Sequence, residues 1–324
     1  MYSMTIVGAG NIACGYDSPK LKYILTHIHA AIKHPAIKLD SIIETEIKKH
    51  KNIHNKWGRN INIYSDLKDS MSIYKSDIFV VANPTDQHLL TIKKILKNHS
   101  PKLIICEKPI VSNLKELKNL YELFEKHNTK IITNFPRRFE PSLNILKKKI
   151  LKLKQKYHFY GTFNKGLIHN GSHMIDLINM LVGNINKIDS IDHEIIDNDF
   201  FGKFLIKTDN CNGVISNINS QKLGIFELII FSKTLKVEII GSDKNILINH
   251  IQNSSLYKNF KIYVIKNELP RTPGKSAMNT FDFVIGLLKN KKRYEKFKLE
   301  QFNTNKIIFD TKKKFINNKF KNPI

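Results

Sequence analysis

KLIICEKPI, residues 102–110, reads as a strand running straight into a turn. Leu103, Ile104 and Ile105 form a short apolar run rich in β-branching. Such a run fits a parallel strand covered on both faces better than a helix. Open α/β sheets bind their ligands beyond the carboxyl ends of the strands, so Glu107, Lys108 and Pro109 are expected at a ligand crevice. Pro109 has no amide donor and is expected to stop the strand and hold Lys108 at that edge. A lysine so placed could exchange a proton with a substrate hydroxyl. A lysine before a proline is also an ordinary solvated loop residue, and this stretch alone leaves both readings open.

Upstream, residues 4–7 form an apolar strand, followed by GAGNIA at 8–13, a GxGxxA pattern at a strand-to-helix junction. Gly8 would permit the tight turn and Gly10 would let a pyrophosphate approach the backbone, with Asn11 and Ile12 beside it. The small Ala13 would allow close helix-to-strand packing. A glycine turn with no ligand is the alternative. Residues 39–43 read as a second strand ending at Glu44, whose carboxylate could accept hydrogen bonds from both ribose hydroxyls of an adenosine. It could instead favour the first turn of the next helix. Glu44 lies farther from the glycines than the usual ~20 residues. The extra length falls at 15–23, an expected inserted loop near the cofactor, with a helix resuming over 26–34.

Further elements alternate: a strand at 61–64, a helix at 66–74, a strand at 77–82 ended by Asn83 and Pro84, and a helix containing 88–96. After the 102–110 stretch come a helix at 114–127 with apolar Leu117, Leu120, Tyr121 and Phe124 at helical spacing, and a sixth strand at 130–134. Six strands alternating with helices describe a doubly wound, parallel Rossmann domain. Its expected bounds are 1–134.

Residues 135–324 are expected to form an α+β domain for substrate binding and oligomerisation, with a large open, mostly antiparallel sheet. Its C-terminal helices could pack back on the first domain. Arg137 and Arg138 are candidates for binding ligand anions. In KGLIHNGSHMIDLINMLVG, residues 165–183, His169, His173 and Asp176 recur at i, i+4 and i+7 and would share one helix face. Met174, Leu177, Ile178 and Leu181 would face the core. The polar face could serve catalysis, a metal, or helix-surface packing; for a metal, the further Cys or acidic cluster is missing. Beyond it the period becomes alternating, as at Leu235, Val237 and Ile239 and at Phe260, Ile262 and Val264, which predicts strands with one buried face. The chain is expected to close with helices from about 276 and near 304–315.

At 324 residues, 41% apolar and 10% aromatic, the chain can fold two domains. A formal charge of +25 would suggest nucleic acid or an anionic membrane. Lysine is instead spread along the whole sequence with Asn and Ile, so neither partner is expected. Cys14, Cys106 and Cys211 are far apart and show no CxxC spacing, which fits a reducing cytoplasm and neither a disulfide framework nor structural zinc. With a strand beginning by Met4 and no run long enough to span a bilayer, a cytoplasmic protein is expected.

With these stretches together, GAGNIA, Glu44, ANPTDQH (82–88), CEKPI and GLIHNGSHMID, the chain resembles the Gfo/Idh/MocA family of glucose-fructose oxidoreductase, inositol dehydrogenase and the rhizopine-catabolism proteins. The resemblance implies NAD or NADP, and hydride transfer to or from a secondary alcohol of a sugar, cyclitol or nucleotide-linked sugar; Glu44, which would meet a 2′-phosphate with like charge, favours NAD over NADP. It implies a homodimer or homotetramer through the exposed sheet face. By position it implies that Lys108 and His173 flank the substrate carbon and that Asn83, Pro84, His88 and Glu107 line the nicotinamide side. Asp176, Arg138 and Asn170 are further candidates for meeting substrate, and Asp176 could fix the His173 imidazole. His169 stands where many relatives have Asp, and an imidazole could take over that proton. A redox-inactive NAD-binding regulator, or an NAD-dependent lyase or glycosidase of the same fold, is the alternative.

Overall fold

The computed structural model describes residues 1–209, 211–220, 222–241 and 244–319. The chain forms two compact units, Met1–Phe139 with Gly274–Gln301, and Glu140–Pro273 with Phe302–Ile324.

The first unit runs β1 (Tyr2–Val7), α1 (His27–Lys33), β2 (Ile37–Ile43), α2 (Ile47–Trp57), β3 (Ile63–Tyr64), α3 (Leu67–Ile73), β4 (Ile78–Val81), α4 (Thr85–Asn98), β5 (Leu103–Cys106), α5 (Leu114–Lys126) and β6 (Lys130–Thr133). Its six strands pair in the order β3-β2-β1-β4-β5-β6, all parallel. Every residue of β4 and β5 is buried. Continuous apolar runs therefore carry the centre of the sheet, as expected where both faces are covered. The strand order reverses between β1 and β4, and the crevice above that point is where such sheets bind ligands.

Elements late in the chain complete this unit. Tyr294 Oη accepts the Ile131 amide at 2.9 Å, and Gln301 Oε1 accepts the Thr133 amide at 2.9 Å while its Nε2 donates to the Thr133 carbonyl at 2.7 Å. These side chains supply partners to β6, the last strand of the sheet, and so blunt an edge that could otherwise pair with another chain.

The second unit contains α6 (Pro141–Leu153), β7 (His158–Asn164), α7 (Gly171–Leu181), β8 (Ile185–Ile196), β9 (Asp199–Thr208), β10 (Asn212–Ile218), β11 (Phe226–Phe231), β12 (Leu235–Ile239), β13 (Ile246–Asn253) and β14 (Lys261–Leu269). Their order is β14-β13-β12-β11-β7-β10-β9-β8, with β7 and β10 parallel and the other pairs antiparallel. Buried and half-exposed residues alternate along β11 and β12, so one sheet face carries the core. The expected one-sided burial fails for β14. Among the described residues it pairs only with β13 and is exposed on both faces, Ile262 at 45% and Tyr263 at 38%. Alternation in sequence records apolar spacing, and an end strand can carry that spacing without a layer to cover it.

The chain ends in α8 (Ser276–Leu288), in the first unit, and α9 (Lys291–Lys319), divided at Gln301 between the units. α9 begins well before the predicted 304–315 segment. Its opening residues are rich in charge, and Tyr294 and Phe297 are buried among them. No helix among the described residues is long and apolar enough to cross a membrane.

Candidate functional site

At the carboxyl ends of β1, β2 and β4 lies a cleft of about 730 Å³, walled by Gly8, Gly10, Asn11, Ile12, Glu44, Asn83 and Pro84 among others. The two glycines do different work. Gly8 has φ +93°, and a Cβ there would lie 2.6 Å from the Asn83 amide nitrogen, so both conformation and space demand glycine. Gly10 has φ −68°, and a Cβ would meet no atom within 4 Å. The space in front of Gly10 is open cleft. After it, the chain makes one π-helical turn, Asn11–Gly15, with Ala13 fully buried against the sheet.

The inserted loop is ordered from within. Asp17, 2% exposed, accepts the amides of Leu25 and Thr26, the Thr26 hydroxyl and the His29 Nδ1–H. Thr26 in turn caps α1 by accepting the His29 amide. Burial alone would raise the Asp17 carboxyl, but these donors outweigh it and hold it below the usual carboxylate range.

Glu44 is buried at the end of β2; its Oε2 accepts the Ala9 amide at 3.1 Å and its Oε1 the Glu46 amide at 3.0 Å. Asn83 donates to Thr91 Oγ1 at 2.9 Å, and its own Oδ1 is buried with no hydrogen-bond partner among the described residues. An open glycine face, a carboxylate at the end of the second strand and an unsatisfied amide oxygen in the same wall fit a dinucleotide. The pyrophosphate would lie over Gly10 and the adenosine ribose at Glu44.

His88 is not part of this wall. Its ring is 1% exposed and stands between two carbonyls, that of Pro109 at 3.0 Å from Nδ1 and that of Asn83 at 2.8 Å from Nε2. It therefore ties the loops that follow β4 and β5 rather than meeting a ligand. The Lys108–Pro109 bond in the second of these loops is cis. Glu107, 14% exposed, receives two donors on the same oxygen, His27 Nε2–H at 2.8 Å and Asn134 Nδ2–H at 2.6 Å. Burial would raise its carboxyl, but the bond and charge of His27, the Asn134 amide and the Lys108 charge outweigh this and hold it below its ordinary range. His27, reached only after the inserted loop, has no signal in local sequence; the expected helix over 26–34 places it on the chain but not beside Glu107.

In the second unit the expected helix face is not formed. α7 starts at Gly171, so His169 lies in the preceding turn, exposed, and does not share a helical face with His173 and Asp176. The cause is Asp199, whose Oδ1 accepts the amides of Ile168 and Phe200 and whose Oδ2 accepts that of His169 at 2.9 Å. These bonds take the turn's amides out of helical pairing. Gly166 and Gly171 are both required by close approach: a Cβ on the first would overlap the Asp199 carboxylate, and on the second would lie 2.7 Å from the Phe163 ring. His173 is half-buried in the first turn of α7, Asp176 is buried one turn on, and Asn170 donates its amide to the Asn164 carbonyl and Oδ1.

Arg138 is corrected from ligand anion binder to structural ion pair. It is 2% exposed, bonded to Glu300 at 2.8 Å, with its guanidinium 5.7 Å from the Phe297 ring centre. A buried arginine so paired is not available to an incoming anion.

Comparison with known proteins agrees with this geometry. A family model described as oxidoreductase family, NAD-binding Rossmann fold (GFO_IDH_MocA) matches residues 2–135. An uncharacterised oxidoreductase of Schizosaccharomyces pombe is 28% identical over 145 residues, 38% of this chain, and the match spans only 39% of that relative's length. Among solved structures, a Clostridium difficile dehydrogenase (MviM) superposes with a TM-score of 0.71 at 16% identity over 98% of this chain and 99% of that one. An Agrobacterium radiobacter oxidoreductase, solved with NAD+, L-tartaric acid and magnesium, gives 0.70 at 11% identity over 95% and 94%. The WlbA dehydrogenase of Bordetella pertussis, solved with NADH and UDP-GlcNAcA, gives 0.60 at 16% identity over 74% and 77%. At such identities these structures share the fold. Residues 2–135, which carry the glycine turn, Glu44 and the Glu107–Pro109 turn, are thus similar to the GFO_IDH_MocA oxidoreductase family of NAD-binding Rossmann folds.

Proposed function

We propose that the chain is an NAD-dependent oxidoreductase acting on a secondary alcohol or the matching ketone of a sugar, cyclitol or nucleotide-linked sugar. The observation that carries this reading is one cleft with an open Gly10 face and a buried Glu44 at the strand ends, beside a strand that delivers Lys108 at its carboxyl edge. When bound, the nicotinamide group would supply or accept a hydride. The chain's own task is to bind, to orient and to move one proton.

An alcohol loses its hydroxyl proton as hydride leaves carbon, so a base within hydrogen-bond reach is needed. Lys108 is the candidate, fixed after β5 by the Glu107 and His88 contacts on either side of it. His173 and Asn170 are proposed to orient substrate hydroxyls, with Asp176 behind them on α7. His169 remains a candidate for proton exchange, now on the ground of its exposed turn.

Mass spectrometry of nucleotide carried through purification, followed by a screen of sugars and cyclitols for NADH formation, tests the proposal. Retained NAD with turnover on a polyol supports it. Absence of nucleotide binding at millimolar NAD would end it. A second reading, an NAD-binding protein without turnover, is favoured by the exposed His169 at a position where the family resemblance implies a carboxylate; NAD binding without turnover of any polyol would select it.

A further inference from the structure

We propose that Lys56, at the end of α2, is a positioning residue of the nucleotide site: its ammonium takes the free carbonyls of the glycine turn and so lets a single short turn hold a pyrophosphate. This rests on the reading of the cleft as a dinucleotide site. The turn is short for that task. The chain makes one π-helical turn at Asn11–Gly15 and then leaves into the inserted loop, and α1 begins only at His27. A helix that continued would bond the Cys14 and Gly15 carbonyls to its own amides. Here side chains from α2 take them instead. The Lys56 ammonium donates to the Cys14 carbonyl at 3.1 Å and to the Gly15 carbonyl at 2.6 Å, and the Trp57 indole N–H donates to the Cys14 carbonyl at 3.0 Å. Trp57 is 6% exposed, with the Lys56 ammonium 5.7 Å from its ring centre and the His29 ring 5.4 Å away. His29 is held in turn by Asp17, so the inserted loop closes on the same indole.

The need for a cation at this place is electrostatic. Each end of a helical segment carries about half a charge, positive at the amides and negative at the carbonyls. In a long helix the carbonyl end is too far from a bound phosphate to matter. In a single turn it lies within about 6 Å of the amides and would largely cancel their pull on an anion. An ammonium on those carbonyls removes the cancellation and adds its own charge. Two carboxylates sharpen the requirement. The Cys14 thiol within the turn, pushed up to about 12 chiefly by burial, feels Lys56 in one sense and Glu44 and Asp17 in the other. Without Lys56 the turn would have to hold a pyrophosphate beside both carboxylates with no cation at its carbonyls. The open Gly10 face and the buried Asn83 Oδ1, which has no partner among the described residues, lie in the wall that this turn completes.

The test is calorimetric titration of the full chain with NAD, ADP and adenosine. ADP keeps the pyrophosphate and adenosine lacks it. Lys56→Met should weaken NAD and ADP each by about fivefold, the scale of one charge at the end of a helical segment, and leave adenosine within about twofold of the parent. The loss should shrink as salt is raised from about 50 mM to about 500 mM, because Lys56 is only half-buried and its field is screened. Lys56→Arg, which keeps a cation with several donors, should recover most of the loss. If Lys56→Met does not fold, the neutral and shorter Lys56→Gln takes its place. Parent-like ADP affinity in the neutral variant, a loss shared equally by adenosine, a loss unchanged by salt, or an arginine variant no tighter than the neutral one overturns the proposal. A parent chain that binds neither NAD nor ADP at millimolar concentration refutes the dinucleotide reading itself, and this inference with it.

Discussion

The Glu44 carboxylate accepts the Ala9 amide at 3.1 Å, so the end of β2 is tied to the glycine turn by the group that would meet the adenosine ribose. A 2′-phosphate at that place would face like charge. The nearby Lys48 and Lys49 offer little relief, because both are paired with Glu46, at 3.4 and 2.5 Å. NAD is therefore expected to bind more tightly than NADP, and Glu44→Ala to weaken NAD by about tenfold, the worth of one net charged hydrogen bond. Calorimetric titration with both nucleotides checks this. NADP binding equal to that of NAD in the parent would remove Glu44 from the ribose.

Gly8 and Gly10 should separate folding from binding. Gly8→Ala places a side chain at φ +93° and against the Asn83 amide, and is expected to cost more than about 1 kcal/mol in urea unfolding. Gly10→Ala meets nothing in the protein, so its unfolding curve should match the parent or gain a few tenths of a kcal/mol. Its Cβ does enter the open face of the cleft, and NAD affinity should fall. A Gly10→Ala protein that binds NAD like the parent would mean the pyrophosphate does not cross that face.

The sheet of the first unit is legible in the sequence because its strands are buried on both faces; residues 78–81 and 103–106 need no partner information to read as strands. What is not legible depends on groups far away along the chain. The start of α7 is set by Asp199, about 30 residues beyond the turn it fixes. The role of Arg138 is set by Glu300, 162 residues away, and that of Glu107 by His27, 80 residues back. Helical spacing placed His169, His173 and Asp176 together on the assumption that the helix ran through 169. A competing acceptor for two of the turn's amides is invisible to spacing.

The acid side of the stability profile should depend on Asp17. Its carboxyl is lowered on folding, so its contribution is complete above the unfolded value near ~4 and is lost as pH falls through the folded value. Asp17→Asn should accordingly be less stable than the parent at pH 6, with the two unfolding curves converging as pH drops below about 4. A constant difference across that range would show that ionisation of Asp17 is not the source.

Lys108→Met should leave NAD affinity near the parent value, since Lys108 does not wall the cleft, and lower turnover by about 100-fold to 10,000-fold, as for loss of a general acid or base. Nucleotide titration and steady-state rates on a responsive polyol measure the two effects separately. Unchanged turnover removes Lys108 from the chemistry.

The turn that carries His169 permits the sharpest separation of structure from chemistry. Asp199 accepts two amides there, that of Ile168 at 2.7 Å and that of His169 at 2.9 Å, while the His169 side chain is exposed. Asp199→Ala leaves those amides without their charged acceptor and should cost about 2 kcal/mol in urea unfolding. His169→Ala removes an exposed side chain and should stay within about 0.5 kcal/mol of the parent. Any loss of turnover in His169→Ala therefore reports on the imidazole itself and not on the fold. If that imidazole exchanges a proton where relatives use a carboxylate, His169→Asp should keep much of the activity with a shifted pH profile, and His169→Ala should lose it. Parent-like rates for His169→Ala across pH 5 to 9 would make His169 a surface residue of the turn, and the proposed chemistry would rest on Lys108 and His173.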